Sequence, residues 1–176
     1  MDTMPKFKAA AVQAAPCFLD RAGSVAKACR LIQEAARNGA NLIVFPEVFI
    51  PGYPYWNWCM TPLQGSAWFH KLCLSSVEIP SVEIDALCNA ARAARAYVVI
   101  GINERSSVST ATLYNTNILI SPDGELIGKH RKLVPTFAEK LTWASGDGSS
   151  IRVYETELGR IGMLACGENT NTLARF

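Results

Sequence analysis

An unbroken apolar run at residues 41–45 constrains the fold of this chain more than any other feature. The run, Asn-Leu-Ile-Val-Phe, lies between Asn38-Gly39 and Pro46, and a short apolar run bounded by turn residues is typical of a strand buried on both faces. A short, mainly apolar segment at residues 7–13 precedes it and predicts another strand. Between the two runs, apolar residues recur at helical spacing at Val25, Cys29, Ile32 and Ala36. The first part of the chain therefore predicts a β-α-β unit.

The middle of the chain continues this alternation and then changes to hairpins. Ser81 is a suitable N-cap for a second helix, whose apolar face comprises Ile84, Leu87, Cys88, Ala91 and Ala94. A strand is predicted next, at residues 97–102. Two hairpins follow, with strands at residues 113–120 and 125–130 around a Ser-Pro-Asp-Gly turn, and at residues 150–154 and 160–164. Together these segments predict an α/β fold in which a mixed β-sheet is flanked by helices.

Residues 46–65 have a distinctive composition. They are rich in prolines and aromatic residues, among them Pro51, Pro54, Pro62, Tyr53, Tyr55, Trp56 and Trp58. This composition predicts a long, shaped loop, and loops of this kind commonly line functional sites.

The overall composition bounds the class of protein. The chain has 176 residues, which fits one domain over residues 1–176. Apolar residues make up 49% and the formal net charge is +2, values typical of a soluble globular protein with no nucleic-acid partner. No apolar run approaches the roughly 20 residues that span a bilayer, and no secretory signal is visible. We therefore expect a cytoplasmic protein without a membrane partner.

The cysteines give no sign of a metal site. There are six, widely spaced and without a Cys-x-x-Cys pair, and the chain has only two histidines. This pattern argues against zinc or iron–sulfur ligation, so we expect no metal. In a cytoplasmic protein we also expect free thiols rather than disulfides.

Cys166 is a candidate nucleophile because of its position. A single cysteine is most often a small buried hydrophobe. Cys166, however, follows an apolar strand, lies between the small residues Ala165 and Gly167, and precedes a helical segment. At such a strand-to-helix turn, backbone N–H groups favour a thiolate and donate to a developing anion.

Glu47 and Lys132 also follow predicted strands directly. Glu47 comes after Pro46 among aromatic residues, an apolar setting that suits a general base or acid; the alternative is a solvated loop carboxylate. Lys132 belongs to the basic segment 129–132, and such segments are usually solvated surface or phosphate-binding patches. Taken one at a time, neither residue is assigned by its surroundings.

In this order, however, the three segments resemble the signature regions of the nitrilase superfamily of carbon–nitrogen hydrolases. The first is Phe45-Pro46-Glu47, the second is Arg-Lys-Leu-Val-Pro-Thr at residues 131–136, and the third is Cys-Gly-Glu-Asn at residues 166–169. The resemblance implies a catalytic set of Glu47, Lys132 and Cys166.

The same resemblance suggests supporting residues and a branch. Glu139 matches a further glutamate that the family often uses to hold the lysine and position substrate. We assign supporting or substrate-binding roles to Tyr53 and Trp56 in the aromatic loop and to Gly167. Cys-Gly-Glu-Asn-Thr-Asn at residues 166–171 is similar to nitrile-hydrolysing members, whereas amidase and carbamoylase branches more often place an aromatic residue and an aspartate after the cysteine. This favours a nitrile substrate.

The superfamily fold is an α-β-β-α sandwich that self-associates. On this resemblance the chain forms most of one half of a nitrilase-type sandwich, and we expect a homo-oligomer. Family members continue well beyond the cysteine, so residues 1–176 are expected to be a C-terminally incomplete carbon–nitrogen hydrolase domain with an uncovered apolar face. The reaction needs a small-molecule nitrile and water, and no cofactor.

Three functions stay open on the sequence. The first is a nitrilase that forms a carboxylic acid and ammonia through a covalent cysteine thioimidate and thioester. The second is an amidase or a cyanide hydratase-like enzyme of the same superfamily. The third is a catalytically inactive truncated or oligomer-forming relative.

Overall fold

The computed structural model describes residues 5–175. Its centre is a five-stranded sheet whose strands lie in chain order: β1 (Ala9–Ala11), β2 (Leu42–Val44), β3 (Tyr97–Arg105), β4 (Leu113–Ile120) and β5 (Leu126–Arg131). Strands β1, β2 and β3 are parallel, whereas β3 pairs with β4, and β4 with β5, in antiparallel fashion. The predicted α/β fold with a mixed sheet and flanking helices is confirmed.

Helices connect and flank these strands. They are α1 (Arg21–Arg37), α2 (Pro62–Ser75), α3 (Val82–Ala94) and the short α4 (Thr172–Arg175). The Asp20 side chain caps α1, and Ser81 caps α3 as predicted, so both helices begin at residues that satisfy free backbone N–H groups. The β-α-β opening and the second predicted helix are confirmed.

The two faces of the sheet are covered differently. Helices α1 and α3 pack on one face, where the buried side chains include Ile32, Ile43, Leu87, Ile100 and Ile118. On the other face lies an antiparallel hairpin of β6 (Val153–Thr156) and β7 (Gly159–Gly162). Tyr154 and Ile161 of this hairpin pack with Tyr97 and Leu119 of the sheet. Both predicted hairpins are therefore present, and the second one carries the chain to Cys166.

Residues 46–65 are more regular than the predicted loop. A 3₁₀ helix spans Tyr55–Trp58, and α2 begins at Pro62. Thr61 and Gln64 form a capping box, and proline is favourable at the first helical position. The prediction was wrong for α2 because Pro62 and Gly65 resemble helix breakers, although here proline starts the helix and the glycine leaves room for Trp56. A Cβ at Gly65 would lie 2.9 Å from the indole Cδ1 of Trp56.

The described chain ends in short helical turns. A 3₁₀ helix spans Cys166–Thr170 and is followed by α4. The helical turns predicted at residues 168–176 are present up to Arg175, and Phe176 lies outside the described residues. None of the helices between residues 5 and 175 combines the length and apolar character that crossing a bilayer requires.

Candidate active site

Lys132 lies at the centre of a buried polar cluster at the end of β5. Its backbone N–H donates to the carbonyl of Asn115, which continues the β4–β5 pairing by one residue. Its side chain is 1% exposed. The ammonium Nζ donates to Glu47 Oε1 at 3.0 Å and to Glu139 Oε2 at 2.7 Å. The structure therefore places this lysine between two carboxylates rather than on a solvated basic surface.

Glu47 is held in place by a residue that sequence reasoning missed. Asn115 Nδ2 donates to Glu47 Oε1 at 2.6 Å, the same oxygen that accepts from Lys132. The loop that carries Glu47 lies directly against Gly101 of β3, where a Cβ would come within 2.3 Å of the Val48 backbone nitrogen. A glycine at this position therefore allows the Glu47 loop to cross the sheet closely. Glu47, Asn115, Lys132 and Glu139 are called the lysine cluster below.

The expected setting of Glu47 is corrected by these contacts. An apolar environment was predicted from the aromatic residues around it, but the direct partners of its carboxylate are an amide and an ammonium. Phe45 and Phe49 instead pack edge to face with ring centroids 5.0 Å apart and belong to the core. The chain turns at residues 47–49, with a φ of 43° at Val48, so aromatic residues that are close to Glu47 in sequence do not enclose its carboxylate.

The charge of Lys132 depends on its two carboxylate partners. Burial alone favours the neutral amine and acts to lower the pKa of Lys132, but hydrogen bonds to Glu139 and Glu47 outweigh burial and raise the pKa above its ordinary value. The lysine therefore stays a cation, and the cluster carries one positive and two negative formal charges. Such a cluster has a fixed ammonium donor beside a carboxylate that can accept a proton.

Glu139 ties the lysine to the aromatic segment. Its Oε2 also accepts from the Thr136 backbone N–H at 2.7 Å, and its Oε1 accepts from the Tyr53 hydroxyl at 2.9 Å. Trp58 Nε1 donates to the same hydroxyl oxygen at 3.0 Å. Burial, together with the nearby Glu139, raises the pKa of Tyr53, so its hydroxyl remains protonated as a donor. Glu139 and Tyr53 therefore both contact the lysine cluster or belong to it, and their supporting roles stay predictions.

Trp56 and Trp58 occupy different places although both belong to the aromatic segment. Trp56 is 5% exposed and packs with Leu72 and Trp68 in the core. Trp58 is 54% exposed, and its ring lies 5.8 Å from that of Phe137. Trp58 is connected to the lysine cluster through Tyr53, because its Nε1 donates to the hydroxyl that in turn donates to Glu139. The supporting role assigned to Trp56 stays a prediction, with no direct contact to that cluster among those described.

Cys166 lies on an exposed turn after β7. Its backbone φ is 51°, in the left-handed region that is uncommon for residues other than glycine, and it begins the 3₁₀ helix Cys166–Thr170. The neighbouring Gly167 has no other heavy atom within 4 Å of the place where a Cβ would lie, so the backbone beside the sulfur is uncrowded. An exposed thiol on a turn of this kind is open to a ligand from solution.

Cys166 and Glu47 share one cavity. The cavity has a volume of about 300 Å³, and its lining includes Phe45, Glu47, Asn117, Met163, Cys166 and Asn169. Glu47 therefore joins the two parts of the site, because it lines this cavity and also contacts the buried Lys132. Chemically, the arrangement brings a thiol and a carboxylate to one cavity, with a fixed cation hydrogen-bonded to the carboxylate. Among residues 5–175, no three His, Cys, Asp or Glu side chains converge as a metal site would require.

Comparison with known proteins identifies the family. The family model described as carbon–nitrogen hydrolase matches residues 8–175 of this chain. The chain belongs to the carbon–nitrogen hydrolase family.

Curated relatives of this chain include named nitrilases. The chain is 46% identical over 169 residues to a protein named nitrilase from Bacillus sp. (strain OxB-1), covering 96% of this chain and 49% of the relative. It is 44% identical over 171 residues to an aliphatic nitrilase from Rhodococcus rhodochrous, covering 97% and 46%. A cyanide hydratase from Stereum hirsutum (strain FP-91666) is 42% identical over 167 residues, covering 94% and 44%. The chain thus spans about half the length of the curated relatives it matches.

Solved structures share the fold of this chain. Saccharomyces cerevisiae Nit3, described as a member of branch 10 of the nitrilase superfamily, superposes with a TM-score of 0.73 at 28% identity, over 92% of this chain and 56% of Nit3. An amidase from Nesterenkonia sp. superposes with a TM-score of 0.66 at 19% identity, over 91% of this chain and 55% of the amidase. The predicted resemblance to the nitrilase superfamily is confirmed.

Proposed function

We propose that this hydrolase is a nitrilase that converts an organic nitrile and water to a carboxylic acid and ammonia. The observation that carries the proposal is the buried Lys132 between Glu47 and Glu139, with Glu47 lining the same cavity as Cys166. The similarity to relatives named nitrilase supports the choice of a nitrile as substrate. Cys166 is the nucleophile, Glu47 is the acid and base, and Lys132 stabilises developing negative charge.

The first half of the reaction joins the nitrile to Cys166. Glu47 accepts the thiol proton while sulfur attacks the nitrile carbon, and the proton then goes to nitrogen, which gives a covalent thioimidate. Because Lys132 is already held by hydrogen bonds, it can donate to a developing anion without reorganisation at the moment of reaction. The exposed position of Cys166 suits attack on a substrate that enters from solution.

The second half removes nitrogen and frees the enzyme. Water that has given a proton to Glu47 adds to the thioimidate carbon, and the tetrahedral species expels ammonia to leave a thioester. A second water hydrolyses the thioester, which releases the acid and restores the thiol. Two waters are consumed in all, and thiol, carboxylate, ammonium and water supply every step without a cofactor.

A second activity is favoured by one comparison. The similarity to a cyanide hydratase makes release of an amide the main alternative. In that case the tetrahedral species expels the cysteine sulfur instead of ammonia, so one water is consumed. The two outcomes differ in product rather than in the residues that act.

The substrate panel is chosen to separate these outcomes. The full-length protein is incubated with aliphatic, aromatic and arylacetic nitriles, and ammonia, acid and amide are measured, with Cys166→Ala as the blank. Acid and ammonia in equal amounts support a nitrilase. Amide without acid supports the hydratase alternative, and no product from any nitrile contradicts both.

The aromatic segment suggests which nitriles to favour. The half-exposed Trp58 donates to the hydroxyl of Tyr53, which contacts Glu139 of the lysine cluster, and the exposed Phe137 lies beside Trp58. These rings offer an apolar surface for an aryl or arylalkyl group. Equal rates on aliphatic and aromatic nitriles would contradict this part of the proposal.

Assembly and location complete the proposal. The nitrilase superfamily self-associates, and on that basis we include a homo-oligomer in the cytoplasm. Sedimentation of the full-length protein tests the first point, because a monomer at micromolar concentration would contradict it. Imaging of the tagged full-length protein in cells tests the second.

A further inference from the structure

Glu168 makes four contacts that connect separate parts of the site. Its side chain is 6% exposed. Oε2 accepts from the Ala165 backbone N–H at 2.7 Å and contacts His130 Nε2 at 2.8 Å, and Oε1 accepts from the Leu133 backbone N–H at 2.6 Å. Its own backbone N–H donates to the Ala165 carbonyl at 3.1 Å. One carboxylate therefore contacts two chain segments that are more than thirty residues apart.

These segments carry the two groups that act on substrate. The cysteine loop, residues 165–168, holds Cys166, and the lysine loop, residues 132–136, begins with Lys132. Glu168 accepts from the residue directly before the nucleophile and from the residue directly after the lysine. A shift of either loop would therefore break a short hydrogen bond to a buried charge, which is costly.

His130 fixes the orientation of this carboxylate. Its ring is buried, and while Nε2 faces Glu168, Nδ1 lies 3.1 Å from Ser150 Oγ. Ser150 Oγ also accepts from the Arg131 backbone N–H at 3.3 Å, so its hydroxyl proton is free to donate to Nδ1. Because Nδ1 accepts from Ser150, the ring proton of His130 is assigned to Nε2, which donates to Glu168. The carboxylate is thus fixed to β5, the strand that ends directly before Lys132.

Only a carboxylate fits the partners of Glu168. The Ala165 and Leu133 amides are donors, and the network assigns a donor to His130 as well. Burial acts to raise the pKa of Glu168, but the hydrogen bonds from His130, Leu133 and Ala165 outweigh burial and lower the pKa below its ordinary value. A glutamine would place an NH₂ group against at least one of these N–H donors. The site therefore requires an ionised side chain here.

We propose that Glu168 is a positioning residue that holds the cysteine loop in register with the lysine loop, so that Cys166 and the lysine cluster act on the same bound substrate. The proposal rests on the function proposed above, because this register affects turnover only if both loops serve one reaction. Glu168 is not a catalytic residue, since it is buried behind the two loops. Its loss should therefore change the rate of the chemical steps more than the binding of substrate.

The test compares two buried glutamates in the full-length protein. In Glu168→Gln we expect kcat to fall about 10- to 100-fold, the range seen when residues that orient catalytic groups are removed, with KM within about twofold. The matched control is Glu104→Gln. Glu104 is equally buried and accepts from Lys129, Arg131 and Thr116, but it lies on the helix-covered face of the sheet. We expect its loss to lower the melting temperature and to leave kcat within about twofold.

A second measurement reports on the hydrogen bonds of the two loops in the absence of substrate. Amide hydrogen exchange at Leu133 and Ala165 should accelerate about tenfold or more in Glu168→Gln and stay unchanged in Glu104→Gln, because only the first change frees those amides. If Glu168→Gln does not fold, Glu168→Asp keeps the charge but is one methylene too short to reach both loops. We expect the same pattern from it.

The outcomes separate the two proposals. Folded Glu168→Gln with kcat within twofold of wild type overturns the positioning role, as does a loss of turnover that simply follows melting temperature in both glutamate variants. A wild-type protein that acts on no nitrile or amide contradicts the proposed function instead. If the wild-type protein is inactive, amide exchange still tests the coupling of the loops. Unchanged exchange at Leu133 and Ala165 in Glu168→Gln overturns that coupling, and faster exchange in this variant supports it.

Discussion

The lysine cluster and the cysteine loop are built in opposite ways. The charged side chains of the lysine cluster hydrogen-bond one another, and Lys132 and Glu139 are almost completely buried. Cys166 is exposed, has a left-handed backbone conformation and follows a small hairpin that lies on the sheet. The difference fits the roles proposed for the two parts. A buried ammonium needs fixed counter-charges, whereas a nucleophile must be reachable.

This contrast predicts that mutations in the two regions affect activity and stability differently. Substitution of Cys166 in the cysteine loop should lower activity and leave stability nearly unchanged. Changes in the lysine cluster should affect both activity and stability, because its charges are buried and paired. The predictions below run from the largest expected effect to the smallest.

Cys166→Ala gives the largest loss of activity. Turnover should fall by about 10⁴-fold or more, as in other enzymes that lose their nucleophile. Because the side chain is exposed, the free energy of unfolding should change by no more than about 0.5 kcal/mol. Cys59→Ala is the matched control, since Cys59 is also exposed and free. Residual turnover within tenfold of wild type would contradict the assignment of the nucleophile.

Lys132→Ala should lower both activity and stability. Turnover should fall about 10²- to 10³-fold as the donor to developing charge is lost. The protein should be destabilised by about 3–5 kcal/mol, because Glu139 is left buried without its cation. Kinetics and urea unfolding measure the two effects.

Lys129 supplies the control for Lys132. It lies on β5, three residues before Lys132, and pairs with Glu104, but its side chain is 37% exposed. Lys129→Ala should therefore cost about 1 kcal/mol or less and leave kcat unchanged. Equal destabilisation by the two lysine variants would contradict the difference in burial on which the comparison rests.

Glu139→Gln should produce a smaller loss than Lys132→Ala. The amide can still accept from Tyr53 or from Lys132, but it loses the charge that faces the ammonium and the Thr136 N–H. We expect kcat to fall about 10- to 100-fold, in the range for residues that orient a catalytic group. Tyr53→Phe, which removes only one of these partners, should have a smaller effect. The reverse order of the two variants would show that the lysine is oriented from the Tyr53 side.

Stability should also depend on pH at both ends of the range. The pKa of Lys132 is raised in the folded protein, so its contribution is fully present below about pH 10.4 and is lost as pH rises through the folded value. The pKa values of Glu104 and Glu168 are lowered, so their contributions are present above about pH 4.3 and are lost as pH falls through the folded values. Melting temperature measured against pH should show a plateau between these limits.

Two variants test which residue contributes to the loss of stability at each end of this pH profile. Lys132→Met should flatten the alkaline fall, and Glu104→Gln should flatten the acid fall. An unchanged slope in either variant would contradict the corresponding pKa direction.

Much of the fold followed from periodicity and turn residues. The apolar run at residues 41–45, the Ser81 cap and the Ser-Pro-Asp-Gly turn predicted strands, a helix and a hairpin that the structure contains. These signals are local, and local hydrogen bonding is enough to produce them. Helix α2 was missed because proline and glycine disfavour the interior of a helix, whereas Pro62 and Gly65 lie in the first turn of α2, where the helix accommodates them.

The residues of the candidate site were predicted from the resemblance to the nitrilase superfamily more than from their surroundings. A position after a predicted strand made Glu47 and Lys132 candidates, the resemblance assigned them, and the structure brings them within 3.0 Å of each other. Asn115 and His130 lie inside strands, where the sequence gives no sign of which side chain they contact. Trp56 and Trp58 are two positions apart, yet one is buried and the other is half exposed. Contacts between segments far apart in the sequence decide which of these side chains are buried and what they touch. The periodicity of a single segment gives no information about such contacts.

The most direct test of the central claim is the covalent intermediate on Cys166. The full-length protein is mixed with a nitrile, quenched in acid during turnover, and analysed by intact mass and peptide mapping. The account predicts a mass increase equal to the nitrile or to its acyl group, located on Cys166 and absent from the exposed Cys59. An enzyme that turns over without an adduct on Cys166, or that carries the adduct on Cys59, would contradict it.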